Sequence, residues 1–377
     1  MEALRPYIFL VLLNVCATLG TYAVGAVPWG GAPAEGLSLI HRYWDGPSYA
    51  AVAHSLYDPA DPVFEVFGAT FGIRVNLPVY PLTVRALAPL FGYLNGLLVA
   101  TFLFSSLVFC VFYKLVRDFE LVSDPLGCAA IFVFFPPRWV IYHTVGASEP
   151  PFVLFILGAV YCYRRRWLWA CGISAGLAAI SRIYGVLLLP AFLLAELYRP
   201  SEGAKLKSLT RLSAALVPIP LFLGLHFAFL ATRVGSFWAY FEEHSDKMSW
   251  IPFGGLFHAG LSRDASESYG TVVLFMAAAY GLLWLWPRHK DLFFVSAVLI
   301  LPNVFTTLSD QGRFMAPVYP FVLMIAFGDL WSKREAKWAV GLGLPATYAY
   351  VWSMVLVNSL PSEAYEPLRA ALAAAFP

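Results

Sequence analysis

Long apolar stretches recur along the whole chain, each bounded by a short polar turn. A helix that crosses a roughly 30 Å hydrocarbon core takes about 20 residues, because no backbone polar group can stay unpaired there. By that measure Tyr7 to Val27, Leu94 to Val116, Leu212 to Ala231, Gly270 to Trp286, Leu292 to Thr307, Phe314 to Leu330 and Trp338 to Val357 read as spans. Between Pro125 and Tyr198 the apolar pieces are shorter. They are cut by Pro136-Pro137, Glu149-Pro150-Pro151, Arg164-Arg165-Arg166 and Ser181-Arg182, and four short or tilted helices fit them best. The pattern predicts an all-α polytopic membrane protein of about eleven transmembrane helices, residues 1–377 forming one domain without an internal repeat.

Two polar segments, 28–93 and 233–269, are too long to be simple connectors, and long loops are usually functional. From Trp44 to Tyr57 the positions Tyr49, Val52, Ala53 and Leu56 recur at helical spacing, which predicts an amphipathic helix at the membrane interface. Asn76 to Phe91 carries three prolines and is expected to begin as a bend and end as a second short helix.

Composition agrees with lipid as the solvent. Hydrophobic residues make up 60% of the chain and charged residues 13%, about half the share of a soluble domain. The basic residues gather in alternate short connections: Lys114 and Arg117, Arg164 to Arg166, Arg199 to Arg211, Arg288 and Lys290, and Lys333 to Lys337. The positive-inside rule then puts the N-terminus in the cytoplasm and both long segments, with the C-terminal tail, on the other face. A net charge of +2 argues against a nucleic-acid partner. Cys16, Cys110, Cys128, Cys162 and Cys171 all fall in apolar segments without metal-ligand spacing, and no histidine pair has it either, so no metal is expected. A soluble nucleotide donor has no Walker or dinucleotide motif to hold it.

The candidate chemistry sits at the non-cytoplasmic boundary. In His41-Arg42-Tyr43-Trp44-Asp45 the aspartate precedes a predicted helix, where a carboxylate is ordinarily an N-cap; a general base held at the membrane surface is the functional alternative. Glu149 beside two prolines either ends a loop or marks a site. Arg42, Arg85, Arg182 and Arg313 lie near the same boundary on separate elements. Singly each is a snorkelling side chain, and together they match a lipid phosphate. Trp250, among Glu242, Glu243, His244 and Asp246, has a ring suited to stacking on a sugar, although interfacial aromatic residues are routine.

The order RYWDGPSYAAVA, NLPVYPLTVRALA, SEPPFVLFILGAVYCYRRRWLWACGISAGLAAISRIYGVLLLP, GSFWAYFEEHSDKMSW and GRFMAPVYP, from about residue 40 to 320, resembles the PIG-V-like mannosyltransferases, polytopic glycosyltransferases of the GT-C class. The resemblance implies a GT-C-type bundle that moves a hexose, mannose, from a polyprenyl or dolichyl phosphate sugar to a glycolipid or glycan acceptor on the outer or lumenal face. It implies Asp45 as the catalytic carboxylate, Arg85, Arg182 and Arg313 at the donor phosphate, and Glu149 at the sugar or acceptor; beside it, the residues themselves add Arg42 as a phosphate candidate and Trp44, Tyr49, Tyr80 and Trp250 as sugar or acceptor candidates. No cofactor beyond the lipid-phosphate donor is implied. Tyr43 between Arg42 and Trp44, and Leu77-Pro78-Val79, depart from the family's pattern. The compact chain, without long cytoplasmic domains or a retention signal, favours a prokaryotic cell membrane, with the endoplasmic reticulum as the alternative. A transporter or flippase would need comparable spans and arginines, but it would favour an internal repeat and polar groups at the midplane. An oligosaccharide ligase of the same broad class is the other alternative.

Overall fold

The computed structural model describes residues 2–26, 33–67, 71–199, 205–244, 250–254, 265–306 and 310–374. Span ends Val27 and Thr307, together with Asp246, lie outside the described residues. Among those described, regular structure is helical, and extended pairing is limited to an isolated antiparallel bridge between Tyr43 and Ser359.

Among the described residues, five helical stretches are long and apolar enough to cross a membrane by themselves: Arg5–Ala26, Val79–Asp118, Lys205–Val234, Gly270–Arg288 and Arg334–Val357. Each covers a span read from the sequence. The Val79–Asp118 stretch is two helices in one, because Gly92 adopts φ 73°, ψ 165° in its interior. Glycine tolerates that geometry without a Cβ clash. The first part is the short helix expected after the Asn76-Leu77-Pro78 bend, and the second is the span.

Between Pro125 and Tyr198 the helices are short, as expected, but the prolines start them as much as they interrupt them. Pro125, Pro137 and Pro150 each fall in the first helical positions of Pro125–Phe134, Pro137–Tyr142 and Glu149–Arg164. A proline there gives up an N–H that has no intrahelical partner anyway. One expected span is irregular: Phe314 to Leu330 is broken into a 3-10 turn Ala316–Val318, a π-helical turn Pro320–Ile325 and a short helix Gly328–Trp331. Pro317 and Pro320 remove two donors from the ladder that a continuous α-helix would need.

The helix foreseen after Asp45 forms as Gly46–Ser55. Instead of presenting one polar face, it is buried from Gly46 to Ala53. Gly46, Ala50, Ala51 and Ala53 are small enough for neighbours to close in on every side. The helix packs against Val79–Asp118 and against a C-terminal helix, Ser362–Ala374.

The main core gathers large rings, with Phe132 stacked on Trp139 at 5.4 Å between centroids and Phe109 edge-on to both. A smaller cluster joins Val24, Ile40, Tyr43, Tyr142, Val351 and Val355. Among the described residues, Glu149–Arg164 and Leu168–Ala179 share the most extensive helix–helix contact. At the Arg164 end of the first of these, the basic turn is matched by carboxylates: Arg164 grips Asp291 with two bonds of 2.5 and 2.8 Å, Arg165 meets Asp118 at 3.1 Å, and Arg166 meets Glu196 at 2.7 Å. The Glu149 end of the same helix, about 24 Å away at 1.5 Å per residue, carries a different set of charges.

Candidate active site

Asp45 occupies the N-cap position of Gly46–Ser55 but makes no side-chain cap. Its backbone carbonyl accepts from Tyr49 N at 3.0 Å, while its carboxylate turns away from the helix. Arg313 Nη2 donates to Asp45 Oδ2 at 2.5 Å, and the Asp45 side chain keeps 29% of its surface. The ordinary N-cap reading is thereby set aside. What holds Asp45 is a cation from a segment 268 positions away.

Arg313 is itself fixed on several sides. It lies in the one-turn helix Gln311–Phe314, whose cap is Asp310, accepting from Arg313 N at 3.1 Å. Its Nε donates to Glu149 Oε1, and its guanidinium lies 5.4 Å from the centre of the Tyr142 ring. Glu149 opens the helix Glu149–Arg164, where the amino end of the macrodipole favours a negative charge, and it is 1% exposed. The same Oε1 accepts from Arg182 Nη1 at 2.6 Å. Arg182 stands in extended backbone between Leu168–Ala179 and the following 3-10 turn, and it also donates to Ser148 Oγ at 3.2 Å. Ser148 in turn shares a 2.7 Å hydrogen bond with the buried Tyr49 hydroxyl. Four charges therefore alternate, Asp45, Arg313, Glu149 and Arg182, across four separate elements. Each buried charge meets one of opposite sign, the condition for keeping ions out of water at tolerable cost.

Behind this array lies a second layer that the sequence did not single out. Arg138 donates to Asp310 Oδ1 through Nε at 3.1 Å and meets Oδ2 at 2.5 Å through Nη2, while the Tyr142 hydroxyl donates to Asp310 Oδ2. Burial works against charge on Asp310, but the Arg138 guanidinium outweighs it and holds the carboxyl below the usual range. Arg138 and Tyr142 stand four apart on Pro137–Tyr142, so their shared face was the available signal.

The remaining sequence candidates fall in three places. Tyr80 backs the site: its ring meets that of Tyr49 edge-on at 4.9 Å, and its hydroxyl bonds Thr101 Oγ1 at 2.7 Å and Leu97 O at 2.8 Å. Trp44, next to Asp45, is 43% exposed. Arg85 and Arg42 are engaged elsewhere. Arg85 Nη1 donates to Ala53 O and His54 O at 2.9 and 2.6 Å, satisfying carbonyls that the end of Gly46–Ser55 leaves open. Arg42 Nη1 donates to Leu360 O at 3.3 Å and to Ser362 Oγ at 2.5 Å. Trp250 is 99% exposed and makes no contribution to the array. Among the described residues no three His, Cys, Asp or Glu side chains converge in a way that could hold a metal ion.

No protein-family model matches the chain, and a comparison with curated proteins finds no match either. Solved structures do match. The crystal structure of ArnT from Cupriavidus metallidurans bound to undecaprenyl phosphate superposes with a TM-score of 0.53 at 15% identity, over 96% of this chain and 76% of that one. The apo crystal structure of ArnT from the same organism gives the same figures. ArnT is a GT-C glycosyltransferase. The likeness is one of fold and does not show the PIG-V-like family. At that level of identity it speaks for architecture: this chain is an all-α membrane protein with the GT-C fold.

Proposed function

We propose that the protein is a membrane glycosyltransferase that moves a hexose, mannose, from a polyprenyl or dolichyl phosphate sugar to a lipid-linked or glycan acceptor at the non-cytoplasmic face. The observation that carries this reading is the Asp45–Arg313–Glu149–Arg182 array, a part-exposed carboxylate on one of two guanidiniums that a buried carboxylate holds. The ArnT likeness supports a lipid-phosphate donor, since that protein was crystallised with undecaprenyl phosphate.

The chemistry needs a base for the acceptor hydroxyl and positive charge for the departing phosphate. Asp45 supplies the base. Arg313 orients it through Oδ2, which turns Oδ1 toward the acceptor. Arg313 uses Nε and Nη2 on the two carboxylates and Arg182 uses Nη1, so Nη1 of Arg313 and Nε and Nη2 of Arg182 are the donors for a phosphate. Glu149 Oε2 is buried without a hydrogen-bond partner among the described residues, which suits it to accept from a sugar hydroxyl. A single in-line displacement inverts the anomeric centre, so a β-mannosyl phosphate yields an α-mannoside.

The test is transfer of labelled mannose from polyprenyl phosphate mannose to a membrane lipid or glycan extract by purified wild type and Asp45→Asn. The substitution should keep the fold and lower turnover by about 10²–10⁴-fold, the usual contribution of a general base. Equal turnover removes Asp45 from the role. Inertness of both proteins toward lipid-linked hexoses and GDP-mannose turns the assignment to a transporter or a non-catalytic subunit.

A further inference from the structure

The three residues that lead into Asp45 are held by the far end of the chain. Trp44 N donates to Asn358 O at 3.0 Å, and Leu360 N donates to Arg42 O at 2.9 Å, with Tyr43 and Ser359 paired between them as the isolated bridge. Ser359 Oγ adds a bond to Leu39 O at 3.1 Å. The Arg42 side chain closes the same junction from above, reaching Leu360 O and Ser362 Oγ and lying 5.8 Å over the Tyr365 ring, itself 1% exposed. The segment then continues as Ser362–Ala374, which packs on Gly46–Ser55, the helix that follows Asp45.

This clasp holds a backbone shape that Trp44 would not keep unaided. Trp44 has φ 41°, in the left-handed region that bulky residues avoid, and it immediately precedes Asp45. A bulky residue persists there where its surroundings over-determine it, and the bonds to Asn358 and Leu360 are that surrounding. Relaxing Trp44 would swing the Asp45 side chain off its line to Arg313.

On the glycosyl-transfer reading above, we infer that residues 358–365 form a positioning device for the Asp45 carboxylate, with Arg42 as its positioning residue and not a ligand of the donor phosphate. The two roles differ in what they change. A residue that aims the base affects the chemical step, whereas a residue that binds donor equally in ground and transition states affects KM.

The experiment combines kinetics with amide hydrogen exchange on the purified full-length protein, comparing wild type, Arg42→Gln and Arg42→Lys with polyprenyl phosphate mannose as the probe donor. Arg42→Gln should speed exchange in peptides covering 38–45 and 358–362. It should also lower kcat by about 10–100-fold, the effect of misplacing a catalytic group by about 1 Å. Donor KM should stay within about twofold, and Arg42→Lys, which keeps a cationic donor for Leu360 O, should recover much of both effects. A raised KM at unchanged kcat would show Arg42 on the donor and overturn the inference. Faster exchange at unchanged kcat would overturn it as well, by showing that the clasp does not aim the base. If wild type transfers no sugar, the reaction assignment fails, and the exchange arm still decides whether Arg42 and the 358–365 segment hold the turn: unchanged protection in Arg42→Gln means they do not.

Discussion

Glu149 accepts from two arginines on different segments and is 1% exposed, so its removal would leave two cations facing each other out of water. Breaking a buried pair from one side typically costs about 3–5 kcal/mol. Glu149→Ala should therefore lower the thermal midpoint of the detergent-solubilised protein sharply as well as abolish transfer, while Asp45→Asn lowers transfer alone; equal midpoints for Glu149→Ala and wild type would sink the network. His41 makes a separate prediction. Burial pushes its imidazole from 6.5 down to about 4, with Nε2 3.1 Å from Asn95 Oδ1. Between those values the unfolded chain takes up a proton that the folded chain refuses. Stability is then full above about pH 6.5 and declines as the pH falls toward 4. His41→Gln should flatten that part of the pH–stability curve, and an unaltered curve would remove His41 from it. At this scale the sequence was legible where a charge lay next to a helix boundary: Asp45, Glu149, Arg182 and Arg313 all converge. Arg42 and Arg85 shared the same boundary yet point elsewhere, since membrane depth does not specify the direction of a side chain. Their partners, the carbonyls of Leu360, Ala53 and His54, leave no trace in a one-dimensional pattern.

Helices were legible by length and apolarity, and their ends by proline. The exceptions have local causes. Pro317 and Pro320 broke an expected span into three turns, and a run of small residues let Gly46–Ser55 become buried where its spacing had predicted an interfacial face. The C-terminal helix Ser362–Ala374 was missed as a partner of the first outer segment, because contacts between residues three hundred positions apart have no periodic signature. Close helix approach supplies a test. A Cβ on Gly172 would lie 1.6 Å from Ala215 O, so Leu168–Ala179 and Lys205–Ala215 meet there backbone to backbone. Gly172→Ala must drive those helices apart, and overpacking of this kind usually costs about 1–3 kcal/mol. A lowered thermal midpoint is expected, and an unchanged one would mean that the two helices do not meet as closely as described.

For the molecule as a whole, the two charge clusters occupy opposite ends of Glu149–Arg164, and the proposal puts the Glu149 end on the outer face. In a variant lacking the five native cysteines, Trp250→Cys should react with a membrane-impermeant maleimide added to intact cells, and Leu206→Cys, 78% exposed beside the basic turn, should react after lysis. The reverse pattern would invert the topology. The alternation of Asp45, Arg313, Glu149 and Arg182 also has an electrostatic consequence. Two acids and two bases sum to zero, so the array as it stands carries no net charge. On the proposed reaction, Asp45 would take the acceptor's proton and the array would become a monocation at the step in which the lipid phosphodiester becomes a phosphomonoester with one more negative charge. Protonation also slackens the grip of Asp45 on Arg313, so the guanidinium is released toward the phosphate as that extra charge appears. The two charges arise together and opposite one another, so neither has to be solvated alone beside a medium that solvates ions poorly.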